Sequence, residues 1–112
     1  VNRCIVYGYD YTYNADGDLI GGVKITARPS LSQSLYENEI NIHLPSVTTL
    51  TDANGYWEMQ LVNTDSLSDG VYYNIMKTCG SVTDNYKKHI PNVTSIKFEN
   101  LKEKEEWKQQ GI

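Results

Sequence analysis

Apolar and aromatic side chains recur at every second position in short runs, and each run is cut by glycine, proline or asparagine. This spacing constrains the fold more than any other feature, because a period of two sorts residues onto the two faces of a strand, whereas a helix would scatter them. From Arg3 to Tyr13, Ile5, Tyr7, Tyr9, Tyr11 and Tyr13 fall on one side, and Cys4, Val6, Gly8, Asp10 and Thr12 on the other. Gly8 inside this run predicts a bulge, or a neighbouring ring that needs room. The same alternation places Val23, Ile25 and Ala27 against Lys24, Thr26 and Arg28, and Ile40, Ile42 and Leu44 against Asn41 and His43. It also separates Trp57, Met59 and Leu61 from Tyr56, Glu58 and Gln60, and Val71, Tyr73, Ile75 and Lys77 from Tyr72, Asn74 and Met76. Trp57 is the expected centre of the core.

The punctuation predicts the connections. Asn14-Ala15-Asp16-Gly17-Asp18 reads as a turn, with Gly17 free to take positive φ. Asn54-Gly55 predicts a hairpin between the β-branched stretch at 47–51 and the Trp57 strand. Residues 29–38 are polar and irregular, and read as an exposed, mobile loop. Cys79-Gly80-Ser81 turns into a polar strand, Val82 to Ile90, suited to a sheet edge. Pro91-Asn92 breaks that strand, and Ser95 to Phe98 forms a last short one. Glu99 to Gln110 reads as a helix stopped by Gly111, with Leu101 and Trp107 as its apolar anchors; so few anchors require tertiary or partner contacts. The expected fold is all-β, an antiparallel Greek-key β-sandwich of about seven strands with a short C-terminal helix. The sandwich would occupy residues 1–98, with an exposed loop at about 29–46, and the helical tail residues 99–112.

A chain of 112 residues holds one core and needs no metal or disulfide to fold. The net charge is −4, Arg occurs only at positions 3 and 28, and Lys87-Lys88 is the densest cationic pair, so nucleic acid is not an expected partner. No apolar run approaches the roughly 18 residues of a membrane span. Val1-Asn2-Arg3 leads straight into the first strand pattern without a visible signal peptide, as after trimming of an initiator Met or removal of a leader.

Catalytic patterns are weak. The only histidines, His43 and His89, fall in different strand runs and read as surface residues. Asn14, Asp16 and Asp18 alternate like some calcium ligands, but the glycine and glutamate of that motif are not in place, and a plain turn explains them. Asp65, Asp69 and Asp84 are isolated, and no phosphate, dinucleotide or nucleophile-elbow motif occurs. Asn92-Val93-Thr94 matches a glycosylation sequon, a pattern common by chance. Cys4 and Cys79 are compatible either with free buried thiols or with one bridge. No cofactor, metal or enzymatic activity is expected.

Asp16-Gly17, Val23, Thr51-Asp52, Gly55, Trp57, Leu61 and Tyr73 lie in a pattern that resembles the carboxypeptidase regulatory-like and transthyretin-like (prealbumin-like) β-sandwiches. The likeness covers roughly residues 3 to 77, and the stretch at 29–46 departs from it. The transthyretin-like group includes hydroxyisourate hydrolases that carry a terminal Tyr-Arg-Gly-Ser; this chain has Lys108-Gln109-Gln110-Gly111-Ile112, so the resemblance does not imply that activity. The segment Ile90 to Leu101 is similar to the tail of small bacteriophage structural proteins. Together these imply a virion component, in capsid decoration or tail, that contacts other virion proteins or further copies of itself. The interface candidates are Tyr9, Tyr11 and Tyr13 of the stripe, Leu35 and Tyr36 of the loop, and Leu101 and Trp107 of the helix. Three roles are open for the stripe: core packing by Tyr7 and Tyr9, a subunit interface, or a platform for sugar rings. The last belongs to an alternative in which the chain is a carbohydrate-binding or spacer module of a secreted or cell-surface bacterial protein.

Overall fold

The structure, a computed structural model, describes residues 3–104. Strands dominate it. β1 (Arg3–Tyr9) is the middle strand of a three-stranded sheet, antiparallel to β8 (Tyr56–Val62) and parallel to β11 (Ser95–Lys97). A four-stranded antiparallel sheet has the order β10 (Val82–Lys88), β9 (Tyr73–Cys79), β4 (Lys24–Pro29), β7 (Val47–Leu50). The other strands form two hairpins, β2 (Thr12–Tyr13) with β3 (Leu19–Ile20), and β5 (Gln33–Tyr36) with β6 (Ile40–His43). Single 3-10 turns occur at Thr64–Ser66 and Phe98–Asn100.

The inward residues of both sheets meet in one cluster. Cys4 and Val6 of β1 and Trp57, Met59 and Leu61 of β8 face Ile25 and Ala27 of β4 and Tyr73 and Ile75 of β9. Trp57 is 1% exposed and sets its indole edge-on to Phe98, ring centres 5.9 Å apart. Burying a side chain of this kind contributes about 1.5–3 kcal/mol. Gly8 is the gap the indole fills: a Cβ there would stand 3.1 Å from its Nε1. The β1–β8 register runs unbroken through Gly8, so the glycine makes room for a ring and no bulge forms. A second cluster joins Tyr36, Leu44, Val62, Leu67 and Val71.

Several expectations are corrected. The stretch at 29–38 is not an irregular loop, for it contains β5, which pairs with the expected strand at 40–44 (β6) as a hairpin. Its polar composition is deceptive because Ser34 is buried with its hydroxyl donated to the Ser68 carbonyl at 3.0 Å, while Tyr36 packs in the second cluster. Asn54-Gly55 does not close a hairpin. β7 pairs with β4 and β8 with β1, so the turn carries the chain from one sheet to the other. Asp52 holds it, its Oδ1 accepting from the amides of Asn54 at 2.8 Å and Tyr56 at 3.0 Å. The parallel β1–β11 pair breaks the all-antiparallel expectation. The helix expected from Glu99 does not begin there. Phe98–Asn100 is a 3-10 turn, Leu101 enters the main core, and Glu103 bridges Lys88; the rest of the expected helix, with Trp107, lies outside the described residues.

Candidate interaction surface

The end of the molecule where β1 stops is built around one carboxylate. The Asp10 amide donates to Gly55 O at 2.8 Å, which ties the end of β1 to the turn before β8. Its side chain continues the inward side of Cys4, Val6 and Gly8. There Oδ2 accepts the Trp57 Nε1–H at 2.7 Å, and Lys77 Nζ lies 3.0 Å from Oδ2 and 3.1 Å from Oδ1. The Lys77 ammonium also sits 4.0 Å from the centre of the Phe98 ring, a favourable cation–π position. Asp10 thus satisfies an indole N–H and an ammonium that are both largely removed from water.

With Asp10 turned inward, its neighbours point out. Tyr9 is 56% exposed and Tyr11 45%, and the Tyr11 ring covers Gly55, where any Cβ would collide with it. The β2–β3 hairpin follows directly. Asn14 Oδ1 caps its turn by accepting from the amides of Asp16 and Asp18, and Gly17 supplies positive φ. Tyr13 stands opposite Leu19, exposed to 71% and 55%, and Ile20 is exposed as well. Beside this hairpin the outer face of the three-stranded sheet carries more tyrosine. Tyr9 and Tyr56 are cross-strand partners with ring centres 5.3 Å apart, and Tyr7 lies 6.4 Å from Tyr56. The Tyr56 hydroxyl donates to Glu58 at 3.2 Å.

A shallow cleft of about 150 Å³ opens next to the buried pair, lined by Asp10, Tyr11, Lys77, Cys79, Asp84 and Tyr86. Cys79 is exposed there and donates its thiol proton to Thr12 Oγ1 at 3.0 Å; Cys4 is fully buried, and both thiols are free. Neither histidine lines this cleft. His43 is exposed and borders a separate hollow with Arg3 and Gln60. His89, expected on the surface, is buried beside Thr64 and Tyr72, and burial pushes its pKa down while Asp65 pulls it partly back. Among the described residues no group of three or more His, Cys, Asp and Glu side chains could hold a metal ion, and no helix is long and apolar enough to cross a membrane.

Of the sequence-derived candidates, Tyr9, Tyr11 and Tyr13 are all exposed at this end. The core role for the stripe does not hold, since Tyr7 is half-buried and Tyr9 exposed while Cys4 and Val6 take the inner side. Leu35 is 41% exposed on the β5–β6 hairpin. Tyr36 and Leu101 are corrections: both are spent on this chain's own clusters and offer no surface. Sequence patterning missed Leu19 and Ile20 as surface anchors, and it missed Asp10 and Lys77 altogether. Lys77 falls at an inward position of its strand and Asp10 at the inward continuation of another, and two opposite charges out of place were the available signal. No protein-family model and no curated protein sequence matches the chain.

Proposed function

We propose that this chain is a Greek-key β-sandwich acting as a non-catalytic building block of a bacteriophage virion, in the capsid decoration or the tail, joined to neighbouring proteins or further copies by protein–protein contacts. The observation that carries this reading is the run of exposed apolar side chains, Tyr9, Tyr11, Tyr13, Leu19 and Ile20, along the end of β1 and the hairpin that follows it. Grouped exposed apolar residues mark docking sites, and tyrosine is enriched where interfaces exclude water. A sandwich is supported by the path of the chain, which changes sheet between β1 and β4, β7 and β8, β8 and β9, and β10 and β11, and by the core the two layers share. The virion assignment leans on the resemblance of the closing segment to phage structural proteins. The test is a Tyr9→Ser/Tyr13→Ser/Leu19→Ser variant, which should still unfold cooperatively, its midpoint lowered only by loss of the Tyr9–Tyr56 ring pair, yet be absent from particles purified after complementation of the phage. A variant incorporated at the wild-type ratio would overturn the assignment of this surface.

A second reading has its own support. Tyr7, Tyr9 and Tyr56 group on the outer face of the three-stranded sheet with Glu58 at their margin, an arrangement suited to stacking a sugar ring and holding its hydroxyls. The chain would then be a carbohydrate-binding module of a secreted or cell-surface protein. Glycan-array binding lost on Tyr9→Ala and Tyr56→Ala would favour it; a blank array for the wild type would count against it.

A further inference from the structure

The outer face of the four-stranded sheet carries a charge pattern that the linear sequence conceals. Lys24 and Arg28 of β4 and Lys87 of β10 share that face, and Arg28 and Lys87 flank Asn74 of β9 from either side. With strands about 4.8 Å apart and a rise of about 3.3 Å per residue, the three cations mark out a patch of roughly 10 by 13 Å. All three are exposed, and none has an ion-pair partner among the described residues. The remaining outward positions on these strands are threonines, asparagines, Met76 and Leu50, with no Asp or Glu. Among the described residues the patch has no ion-pair partner, in a chain whose net charge is −4.

The opposite sign collects at the β5–β6 hairpin. Its turn bears Glu37 and Glu39, and the adjoining segment bears Asp65 and Asp69. The Glu37 amide donates to Ser66 O at 2.8 Å and the Ser68 amide to Leu35 O at 3.0 Å, so the two segments present their carboxylates as one unit. Neither segment contains Lys or Arg, all four carboxylates are exposed, and none forms an ion pair among the described residues.

We propose that copies of this chain associate head to tail, the acidic hairpin end of one docking on the cationic sheet face of the next. The proposal rests on the assembly reading above but uses a different surface from the tyrosine cluster. A second copy is the occupant whose chemistry is already on the molecule: four exposed carboxylates meet three exposed cations, and none of the seven forms an ion pair with Lys, Arg, Asp or Glu among the described residues. An anionic polymer fits less well, because three cations neutralise few phosphates and the net negative charge of the chain repels a long polyanion. A contact between two unlike surfaces is heterologous, and it propagates into a ring or a filament rather than stopping at a pair. Exposed charge pairs are individually weak and screened by salt, so the association is salt-sensitive.

Sedimentation velocity of the full chain over a concentration series tests this. At low salt the weight-average sedimentation coefficient should rise with concentration, and the association constant should fall by at least about tenfold in about 0.5 M salt. Glu37→Lys/Glu39→Lys and Lys24→Glu/Arg28→Glu/Lys87→Glu variants should each stay monomeric alone. Mixed in equal amounts they should associate again, because each then offers the sign the other lacks. A wild type that stays monomeric at low salt, or a mixture that stays monomeric, would overturn the proposal. Association that survives both reversals but is lost in the Tyr9→Ser/Tyr13→Ser/Leu19→Ser variant would also overturn it, while leaving assembly through the tyrosine cluster standing. The salt series on the unaltered chain decides the matter even where a variant folds poorly.

Discussion

Replacing Asp10 by alanine strikes one of the two places, among the described residues, where this core accommodates charge, the other being buried Lys88 with its partner Glu103. In the wild type the carboxylate accepts the Trp57 N–H at 2.7 Å and holds Lys77 at 3.0 Å, with the Lys77 and Asp10 side chains 16% and 23% exposed and Trp57 at 1%. Alanine removes both partners' counterpart at once. An orphaned buried N–H costs about 1–3 kcal/mol. A fully buried cation stripped of its counterion would cost a further 3–5 kcal/mol or so, but water reaches this pair, and after discounting for that access roughly 1 kcal/mol is left. The expected loss is therefore about 2–4 kcal/mol, a large share of the about 5–15 kcal/mol that typically holds a domain together. Urea unfolding followed by far-ultraviolet circular dichroism measures it. With a slope of about 2 kcal/mol per molar, the midpoint should fall by about 1–2 M. Asp10→Asn keeps an acceptor for the indole and loses only the charge, so it should cost less. Lys77→Met on the Asp10→Ala background removes the stranded ammonium and should restore part of the loss, giving a coupling energy of about 1 kcal/mol or more in the cycle. A loss under about 0.5 kcal/mol for Asp10→Ala, or additive single mutants, would refute the idea that the carboxylate serves indole and ammonium together.

Gly8→Ala should cost about 1–3 kcal/mol by forcing a methyl group against the Trp57 indole, read as a lower urea midpoint and a shifted tryptophan emission. Gly21→Ala should be worse, since its Cβ would overlap the Asp52 carbonyl, and a soluble protein of wild-type stability would contradict the placement of that turn. Under native conditions a thiol reagent should label Cys79 quickly and Cys4 only on unfolding, because Cys4 is fully buried and burial also pushes its pKa up; equal rates would show that Cys4 is accessible. His89 makes stability pH-dependent. Burial lowers its folded pKa, so below about 6.5 the unfolded chain takes up a proton the folded one refuses; stability is complete above that pH and declines below it by up to about 1.4 kcal/mol per unit. A His89→Gln variant should flatten the profile between about pH 7 and 5.5.

The strands with the cleanest alternation were legible because one face of each is wholly buried. Trp57, Met59 and Leu61, and Tyr73 and Ile75, follow the period of two and all enter the main cluster. Alternation alone does not say which face is inner. In β1 Ile5, Tyr7 and Tyr9 on one side outweigh Cys4, Val6 and Gly8 on the other, yet the smaller side is buried because the Trp57 indole needs the space above Gly8. Partner choice was illegible for the same reason at larger scale. Asn54-Gly55 supplies the local geometry of a hairpin, but β1 and β4 compete for its flanking strands and win through contacts made far away in sequence. The strand at Ile40 to Leu44 was legible, but its partner β5 escaped notice because Ser34 is buried through a hydrogen bond, a solution that composition cannot distinguish from a solvent-exposed serine.

The residues that break the alternation fall into two groups, and the groups differ in where they find partners. Asp10 and Lys77 are charges on the inner side, and each satisfies the other within the fold. Their misplacement therefore has a structural account and implies nothing outside the molecule. Tyr13 and Leu19 are apolar residues on the outer side, and they face each other across a two-stranded hairpin that adds little to the core. A hairpin of that size is barely stable alone in water, and apolar surface left exposed on it costs solubility without strengthening the fold. Among the described residues the first violation is closed and the second is not. Under the proposed assembly that asymmetry makes the β2–β3 end the expected contact: the Tyr13–Leu19 pair should lose solvent exposure on assembly while the Asp10–Lys77 pair is unchanged.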